Sequence, residues 1–248
     1  MDFLTIGGIL FAFGGIFFGY YQEGGSPGQV LAHHWPFLMI LSGSMGAQLV
    51  SVPMEHFKRV LKVTRWLFLP PKIDVSGMIE KLVEWAQIAR REGLLGLEGV
   101  SETEDDEFAR KGLRMLVDGR EPQAIRKILE VEIGSREKLD LAAAKFYEGM
   151  GGFAPTIGIV GAVLGLIVVM ENLSDPAKLG QGIATAFIAT VYALLLANVF
   201  FLPFGAKLKT IAEEQAEFRD MIIEGLVLIA EGENPRNIEE QLQSYTVT

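Results

Sequence analysis

Residues 153–170 read FAPTIGIVGAVLGLIVVM, an apolar stretch without a charged side chain. A helix needs roughly 20 mostly apolar residues to cross a bilayer, so this stretch predicts a transmembrane helix. Three further runs have the same character, and they extend from Phe3 to Tyr21, from Trp35 to Val52 and from Ile183 to Phe204. The sequence therefore predicts an all-α membrane protein with four transmembrane helices.

The composition favours a membrane protein and disfavours several other classes. Of all residues, 50% are hydrophobic, and the mean hydropathy is +0.30. The chain contains no cysteine, so neither a disulfide framework nor a thiolate metal site can form. Its net charge of -9 disfavours nucleic acid as a partner, because phosphate binding needs concentrated Lys and Arg. No cofactor is implied.

Basic residues are distributed unevenly along the chain. No Lys or Arg precedes Lys58, a dense set follows it up to Lys72, and only Lys178 lies between the third and fourth runs. Basic residues that flank membrane helices stay on the cytoplasmic side. We therefore expect a multi-pass protein of the bacterial inner membrane, in contact with lipid, with both termini in the cytoplasm. Two short outer loops are expected, from Gln22 to His34 and from Glu171 to Gly182.

Four segments follow from this topology. They are the first two transmembrane helices with a short periplasmic loop, residues 1–52; a cytoplasmic helical domain, residues 53–150; the third and fourth transmembrane helices, residues 151–205; and a C-terminal cytoplasmic helix, residues 206–248. Within the central domain, Pro122 is a typical first residue of a helix, and we expect a further helix to begin near Ser135. The acidic run from Glu102 to Glu107 predicts a solvated surface.

The four apolar runs lack ionisable side chains. None of them contains Asp, Glu, Lys, Arg or His away from its ends. Ionisable groups inside membranes usually mark ion paths or proton relays. The chain is therefore not expected to move an ion unaided, and a conducting protein would need a titratable group from a partner.

The third and fourth runs also carry signals for close packing and bending. Gly161 and Gly165 have the small-xxx-small spacing that lets helix backbones approach closely. Pro155 and Pro203 lie near the cytoplasmic ends of their runs, and we expect them at one membrane depth. Because proline removes a helix donor and bends the helix, the pair indicates either two helix boundaries or a hinge or gate.

Hydroxyl groups are the main polar groups in these two runs, among them those of Thr156, Thr185 and Thr190. A hydroxyl in an apolar helix usually bonds to the backbone of its own helix. If Thr190 instead faces a pathway, it can hydrogen-bond a carboxylate or an ion from a neighbouring chain. Both interpretations stay open on the sequence.

Three segments carry a resemblance to a known family: residues 87–98, QIARREGLLGLE; residues 154–158, APTIG; and residues 189–203, ATVYALLLANVFFLP. Together with the two-plus-two spacing of the apolar runs around a large central block, they resemble the MotA family over essentially the whole chain. Members of that family are ring-forming subunits of the bacterial flagellar stator, within the MotA/TolQ/ExbB proton channel family.

The resemblance implies a homopentamer that surrounds two copies of MotB, whose single transmembrane helix supplies the proton-accepting Asp. It also implies that Arg90 and Glu98 engage the rotor protein FliG, and that Pro155 and Pro203 couple ion flow to cytoplasmic movement. From the residues alone, a salt bridge or a solvated surface explains Arg90 and Glu98 equally well. Gly93 indicates a turn between these two charges.

The resemblance bears on the ion as well. Sodium-driven relatives of the family carry Thr where this chain has Ala162, with another hydroxyl residue near Thr190. A methyl group offers no oxygen ligand, and hard cations bind oxygen. We therefore expect protons, although Thr156 or Thr185 could supply the missing oxygen. These four residues form the predicted ion pathway.

Two other functions remain alternatives. An energiser of outer-membrane processes of the ExbB/TolQ type has three membrane helices, with its cytoplasmic domain after the first, whereas two runs precede the central block here. A non-conducting membrane scaffold would show the same uncharged runs. An enzyme is not expected, because the chain shows no nucleophile–base cluster, no metal-ligand spacing and no phosphate loop.

Overall fold

The computed structural model describes residues 2–171 and 176–246, and throughout these residues the regular structure is helical, which confirms the all-α class. The α-helices are α1 (Phe3–Gln22), α2 (Pro27–Ala32), α3 (His34–Val50), α4 (Met54–Val63), α5 (Val75–Glu92), α6 (Glu98–Thr103), α7 (Glu107–Val117), α8 (Pro122–Glu171), α9 (Pro176–Leu195), α10 (Leu202–Ala230) and α11 (Pro235–Leu242). Short 3-10 segments occupy Thr64–Leu67, Leu94–Leu97 and Gln243–Thr246, and a π-helical segment occupies Leu196–Phe201.

The chain divides into two compact units. The first unit contains residues 1–70 and 139–210, and the second contains residues 71–138 and 211–248. Each unit has its own core of buried side chains. The predicted segment boundaries at residues 52, 150 and 205 are a statement about membrane topology, and they stay a prediction.

Three helical stretches among the described residues are long and apolar enough to cross a membrane, judged by length and composition: Phe3–Gln22, Pro122–Glu171 and Leu179–Ala230. They contain the first, third and fourth predicted runs. The second run forms α3, which has 17 residues and falls outside this set. The predicted second outer loop, Glu171 to Gly182, lies partly outside the described residues.

Helix α8 is a single helix of 50 residues, so the expectation of a separate helix beginning near Ser135 was wrong. The Ser135 hydroxyl does not cap a new helix, because it donates to the carbonyl of Val131 at 2.8 Å, one turn earlier in the same helix. Pro155 also lies inside α8 without ending it.

The second unit is built like a water-soluble helical domain. Its fully buried side chains include Leu82, Leu113 and Ile222, which come from three different helices. Helix α5 begins where the Asp74 carboxylate accepts a hydrogen bond from the Gly77 amide at 2.9 Å, a typical N-cap. One member of the acidic run, Glu104, is buried and accepts hydrogen bonds from Lys81 at 3.0 Å, so the solvated-surface prediction was wrong for this residue.

Candidate functional site

Helices α8 and α9 pack against each other through small residues in the first unit. The contacts join three glycines of α8 to three alanines of α9: Gly158 to Ala193, Gly161 to Ala189 and Gly165 to Ala186. A Cβ atom placed on Gly165 would lie 3.4 Å from the Ala186 Cβ atom, and one placed on Gly158 would overlap the Ala193 Cβ atom. This glycine–alanine seam confirms the close approach predicted from the small-residue spacing.

The seam fixes the level of each predicted pathway residue. Ala162 and Thr190 directly follow Gly161 and Ala189, and because the two helices are antiparallel these two residues are offset by about 3 Å along the seam. Thr156 precedes Ala162 by about 9 Å along α8, and Thr185 lies about 7.5 Å to the other side, at 1.5 Å of rise per residue. Of the four predicted pathway residues, the structure therefore brings only Ala162 and Thr190 to neighbouring levels, and it spaces the other two along the helix pair.

The three threonine hydroxyls bond within their own helices. Thr156 donates to the carbonyl of Phe153 at 2.8 Å, and Thr185 donates to the carbonyl of Gln181 at 2.9 Å. The corresponding bond of Thr190, to the carbonyl one turn earlier, is longer at 3.4 Å. Thr190 therefore has the hydroxyl that is least committed to its own helix, while its oxygen can still accept a hydrogen bond from a partner.

The two prolines lie at neighbouring levels and not at one level. Pro155 is a half-buried residue inside α8, and Pro203 is an exposed residue in the first turn of α10, directly after the π-helical segment. A Cβ atom on Gly151 would lie 3.4 Å from the backbone nitrogen of Leu202, which aligns Pro203 with the start of α8's apolar stretch. Because the helices run antiparallel, Pro203 is then level with Met150, and the prolines are offset by about five residues, or about 7.5 Å.

A crevice of about 320 Å³ lies beside Pro203 in the first unit. Helix α1 forms one side of it, and the π-helical segment with the start of α10 forms the other. The lining residues are Leu4, Thr5, Gly8, Ile9, Ala12, Asn198, Val199, Pro203, Phe204 and Lys207. The crevice places α1 next to the segment that carries the second proline, a relation that the sequence analysis missed.

Lys207 holds the start of α1 at this crevice. Its ammonium group donates to the Asp2 carboxylate, to the Thr5 hydroxyl at 2.5 Å and to the Leu67 carbonyl at 2.7 Å. The hydrogen bond from Lys207 lowers the pKa of Asp2 to about 2. An isolated acid at the N-cap of the first helix and the first of two Lys residues beyond the fourth apolar run were the sequence signals for this contact.

Arg90 and Glu98 lie on separate helices of the second unit. Gly93 has a φ of +75° and ends α5 three residues after Arg90, and a 3-10 turn leads to Glu98 at the start of α6. The turn predicted between them is confirmed. Both side chains are exposed, and in the described part of the chain no ion pair joins them. Each charge suits its helix end, because cations stabilise C-termini and anions stabilise N-termini.

Nothing in residues 2–171 and 176–246 gathers three His, Cys, Asp or Glu side chains into a metal site. The fold and the seam define a class: a helical membrane protein whose apolar runs, residues 3–21, 35–52, 153–170 and 183–204, carry no ionisable group away from their ends. Residues 100–221 match the MotA/TolQ/ExbB proton channel family.

Relatives agree over nearly the full length. The "Motility protein A" of Helicobacter pylori (strain ATCC 700392 / 26695) is 38% identical over 246 residues, which cover 99% of this chain and 95% of the relative. A chain in the structure of C. jejuni MotAB superposes with a TM-score of 0.93 at 33% identity, covering 99% of this chain and 96% of that one. A chain in the flagellar MotAB stator complex from Bacillus subtilis gives 0.88 at 35% identity, covering 97% and 94%.

The chain therefore belongs to the MotA/TolQ/ExbB proton channel family. Within that family it is similar to motility protein A, and its function is that of a stator ion-channel subunit. The family consists of channel and stator subunits and not of enzymes. The relatives do not favour the ExbB/TolQ-type energiser as the function.

Proposed function

We propose that this subunit conducts ions only together with a second protein of the MotB type, at the boundary between the α8–α9 pair and a carboxylate of that partner. The observation that carries the proposal is the absence of any ionisable side chain from residues 153–170 and 183–204, the two stretches joined by the seam. A proton path needs a titratable carrier, so the carrier comes from the partner. The solved relatives are MotAB complexes, which supports this choice of partner.

The proposed assembly is a ring of five copies around two copies of the partner in the inner membrane. Four helices cross the membrane, both termini lie in the cytoplasm, and residues 53–150 and 206–248 are cytoplasmic. Helix α3 supplies the fourth crossing. Its 17 residues span about 25 Å, and it packs into the same bundle, since Gly43 lies against Ile157 and Met39 lies against Gly161.

The proposed pathway follows the α8–α9 seam along its length. Thr190 offers the least committed hydroxyl and lies about 3 Å along the seam from Ala162, whose methyl group offers no oxygen ligand. Thr156 and Thr185 lie on either side. Because this central level lacks a second oxygen ligand, we propose protons as the coupling ion.

Movement is proposed to pass from the pathway to the cytoplasmic unit through the proline-bearing segments. Protonation removes the charge of the partner's carboxylate and changes which copy of the ring it prefers to face. Pro155 and Pro203 accommodate the resulting bend of their helices. The exposed Arg90 and Glu98 then act on the rotor protein FliG. Each elementary charge supplies roughly 2.3 kcal/mol per 100 mV, so a large movement needs several ions.

Swimming of a stator-deleted host tests the proposal. The chain is supplied with and without its MotB-type partner, in media with and without sodium, and membrane expression is confirmed for each strain. We expect motility only with the partner and no change when sodium is removed. Motility without the partner, or ion flux that survives loss of the partner's carboxylate, would contradict a shared pathway. Loss of motility in sodium-free medium would contradict protons.

The rotor contact has matched controls in the chain. Arg90→Glu and Glu98→Lys are expected to abolish torque while the variants still assemble with the partner. Arg91→Glu and Glu102→Lys change equally exposed charges of the same helices, and they should leave swimming largely intact. Equal losses in all four variants would remove the special role of Arg90 and Glu98.

A further inference from the structure

Helix α4 and the 3-10 turn after it form an amphipathic segment directly beyond α3. One side of the segment is packed into the core of the first unit. Val60, Val63 and Leu67 are 2%, 1% and 0% exposed. Since this side already has its partners, any further interaction of the segment must use the opposite side.

The opposite side mixes cations with long apolar side chains. It contains Met54, Lys58, Leu61, Lys62 and Arg65, all of them exposed, and the exposed Glu55 lies at its edge. Their spacing of four, seven, eight and eleven residues from Met54 places them on one face of a helix. Met54 is 68% exposed and Leu61 is 65% exposed. We call these five residues the basic face of α4.

The orientation of the basic face is fixed by contacts of the buried side. The Arg59 guanidinium donates to the carboxylate of Asp140 at 2.5 Å and lies over the Trp66 ring, 5.5 Å from its centroid. Thr64 and Tyr147 share a hydrogen bond of 2.9 Å. These contacts leave the basic face outward.

The cations of the basic face have no acidic partner inside the unit. Across residues 2–171 and 176–246, no ion pair involves Lys58, Lys62 or Arg65. The chain as a whole carries a net charge of -9, so this cluster is an exception to the general charge of the protein. An unpaired basic cluster that is interleaved with exposed Met and Leu fits a surface that is both anionic and apolar.

We propose that the basic face of α4 binds acidic phospholipids of the cytoplasmic leaflet, with Lys58, Lys62 and Arg65 at the headgroup phosphates and with Met54 and Leu61 against the acyl chains. Basic clusters immediately cytoplasmic of a membrane helix attract anionic lipid in this way. The inference rests on the proposed topology, in which the segment after α3 is cytoplasmic. It adds to that topology that the basic face of α4 prefers lipids with an anionic headgroup.

Native mass spectrometry of the full chain in a mild non-ionic detergent tests the inference. The chain is titrated with phosphatidylglycerol or with phosphatidylcholine, and the lipids retained per chain are counted. The triple variant K58Q/K62Q/R65Q removes the three cations and leaves the anchoring Arg59 in place. The matched control K127Q/K138Q/R120Q removes the same charge from exposed positions of the second unit.

We expect the first triple variant to bind phosphatidylglycerol more weakly by about fivefold for each cation removed. The control variant should bind it as the unchanged protein does, and phosphatidylcholine binding should be the same in all three proteins. Equal retention of phosphatidylglycerol in the two triple variants would overturn the inference. A change in the mass of the oligomer without a change in lipid count would also overturn it, because the face would then contact another copy of the chain.

Failure of the topology gives a different result. A protein that stays monodisperse without detergent and retains neither lipid would not be a membrane protein, and the inference would fall with the proposed function. A protein that retains both lipids without preference keeps its membrane helices and refutes only the role of the basic face.

Discussion

The two units of the molecule differ in how exposed their large hydrophobic side chains are. In the described residues, all but two of the exposed large hydrophobic side chains belong to the first unit, the exceptions being Leu95 and Val131. Helices α8 and α9 of that unit meet through glycine and alanine, whereas the helices of the second unit meet through Leu, Ile and Met in its core. This difference is the one expected between a unit in lipid and a unit in water. In water, burial of large apolar side chains drives packing, and in lipid, close contact of small residues does.

The two units also differ in how far an ion pair is exposed to solvent. In the first unit, Asp140 has a side chain that is 3% exposed and pairs with Arg59 at 2.5 Å. In the second unit, Arg126 and Glu224 pair at 2.6 Å, with side chains that are 31% and 30% exposed. Removing one partner of a buried pair leaves an uncompensated charge, while water compensates at a half-exposed pair. Loss of one partner should therefore lower the free energy of unfolding more for the first ion pair than for the second.

The largest expected effect is the loss of the buried partner. Asp140→Asn should lower the free energy of unfolding by about 3–5 kcal/mol, because the Arg59 charge loses its counterion. Glu224→Gln, the matched change in the second unit, should cost about 1 kcal/mol or less. Thermal unfolding of the detergent-solubilised protein measures both. Similar losses in the two variants would show that burial does not separate these pairs.

Truncation of a large side chain should matter in the second unit and not on the outside of the first. Leu82 is 0% exposed, and Leu82→Ala should cost about 2–5 kcal/mol through lost burial and the cavity that remains. Leu164 is 50% exposed on α8, and Leu164→Ala should leave the unfolding midpoint in detergent nearly unchanged. A large effect at Leu164 would mean that the exposed large side chains of the first unit also contribute to its stability.

The converse substitution should matter at the seam. Gly158→Leu forces a side chain into the contact with Ala193 and should cost about 1–3 kcal/mol or more, with loss of assembly and swimming. Gly152 is the matched control on the same helix, because nothing lies within 4 Å of a Cβ atom placed there. Gly152→Leu should therefore unfold like the unchanged protein. Tolerance of Leu at both positions would rule out tight helix contact at the seam.

Local sequence patterns predict part of this arrangement. The spacing of Gly161 and Gly165 shows that a helix contact exists, and Gly93 shows where α5 ends. These signals are visible because small residues and glycine act through the backbone over a few positions. The all-α class follows from the length of the apolar runs, which limits a lipid-exposed backbone to helix.

Features that join distant residues are not visible in the same way. The sequence cannot show that Ala189 is the partner of Gly161, nor that Pro203 lies about 7.5 Å from the level of Pro155, because both depend on the register of two helices. Continuity of α8 was missed because Ser135 satisfies its hydroxyl within the helix, as a helix-interior serine can. The contact of Asp2 with Lys207 joins positions 205 residues apart.

The smallest expected effect concerns that last contact, and it depends on pH. The Asp2 carboxylate is one-fifth exposed, so water screens the pair and its removal should shift the unfolding midpoint only slightly. The hydrogen bond from Lys207 lowers the pKa of Asp2 from 3.8 to about 2 in the folded protein. A carboxylate with a lowered pKa stabilises the fold above its unfolded pKa, and this stabilisation is lost as the pH falls towards the folded pKa.

The difference in unfolding midpoint between the unchanged protein and Asp2→Asn isolates this group from the other carboxylates, which titrate in both proteins. The difference should be constant from neutral pH down to about pH 5, shrink between about pH 4 and pH 2, and vanish below that range. Lys207→Met should remove the same increment at neutral pH, since the two changes break one contact. A difference that persists unchanged at pH 2 would mean that Asp2 acts as a helix cap independent of its charge, and that the first unit does not use this ion pair to hold α1 beside Pro203.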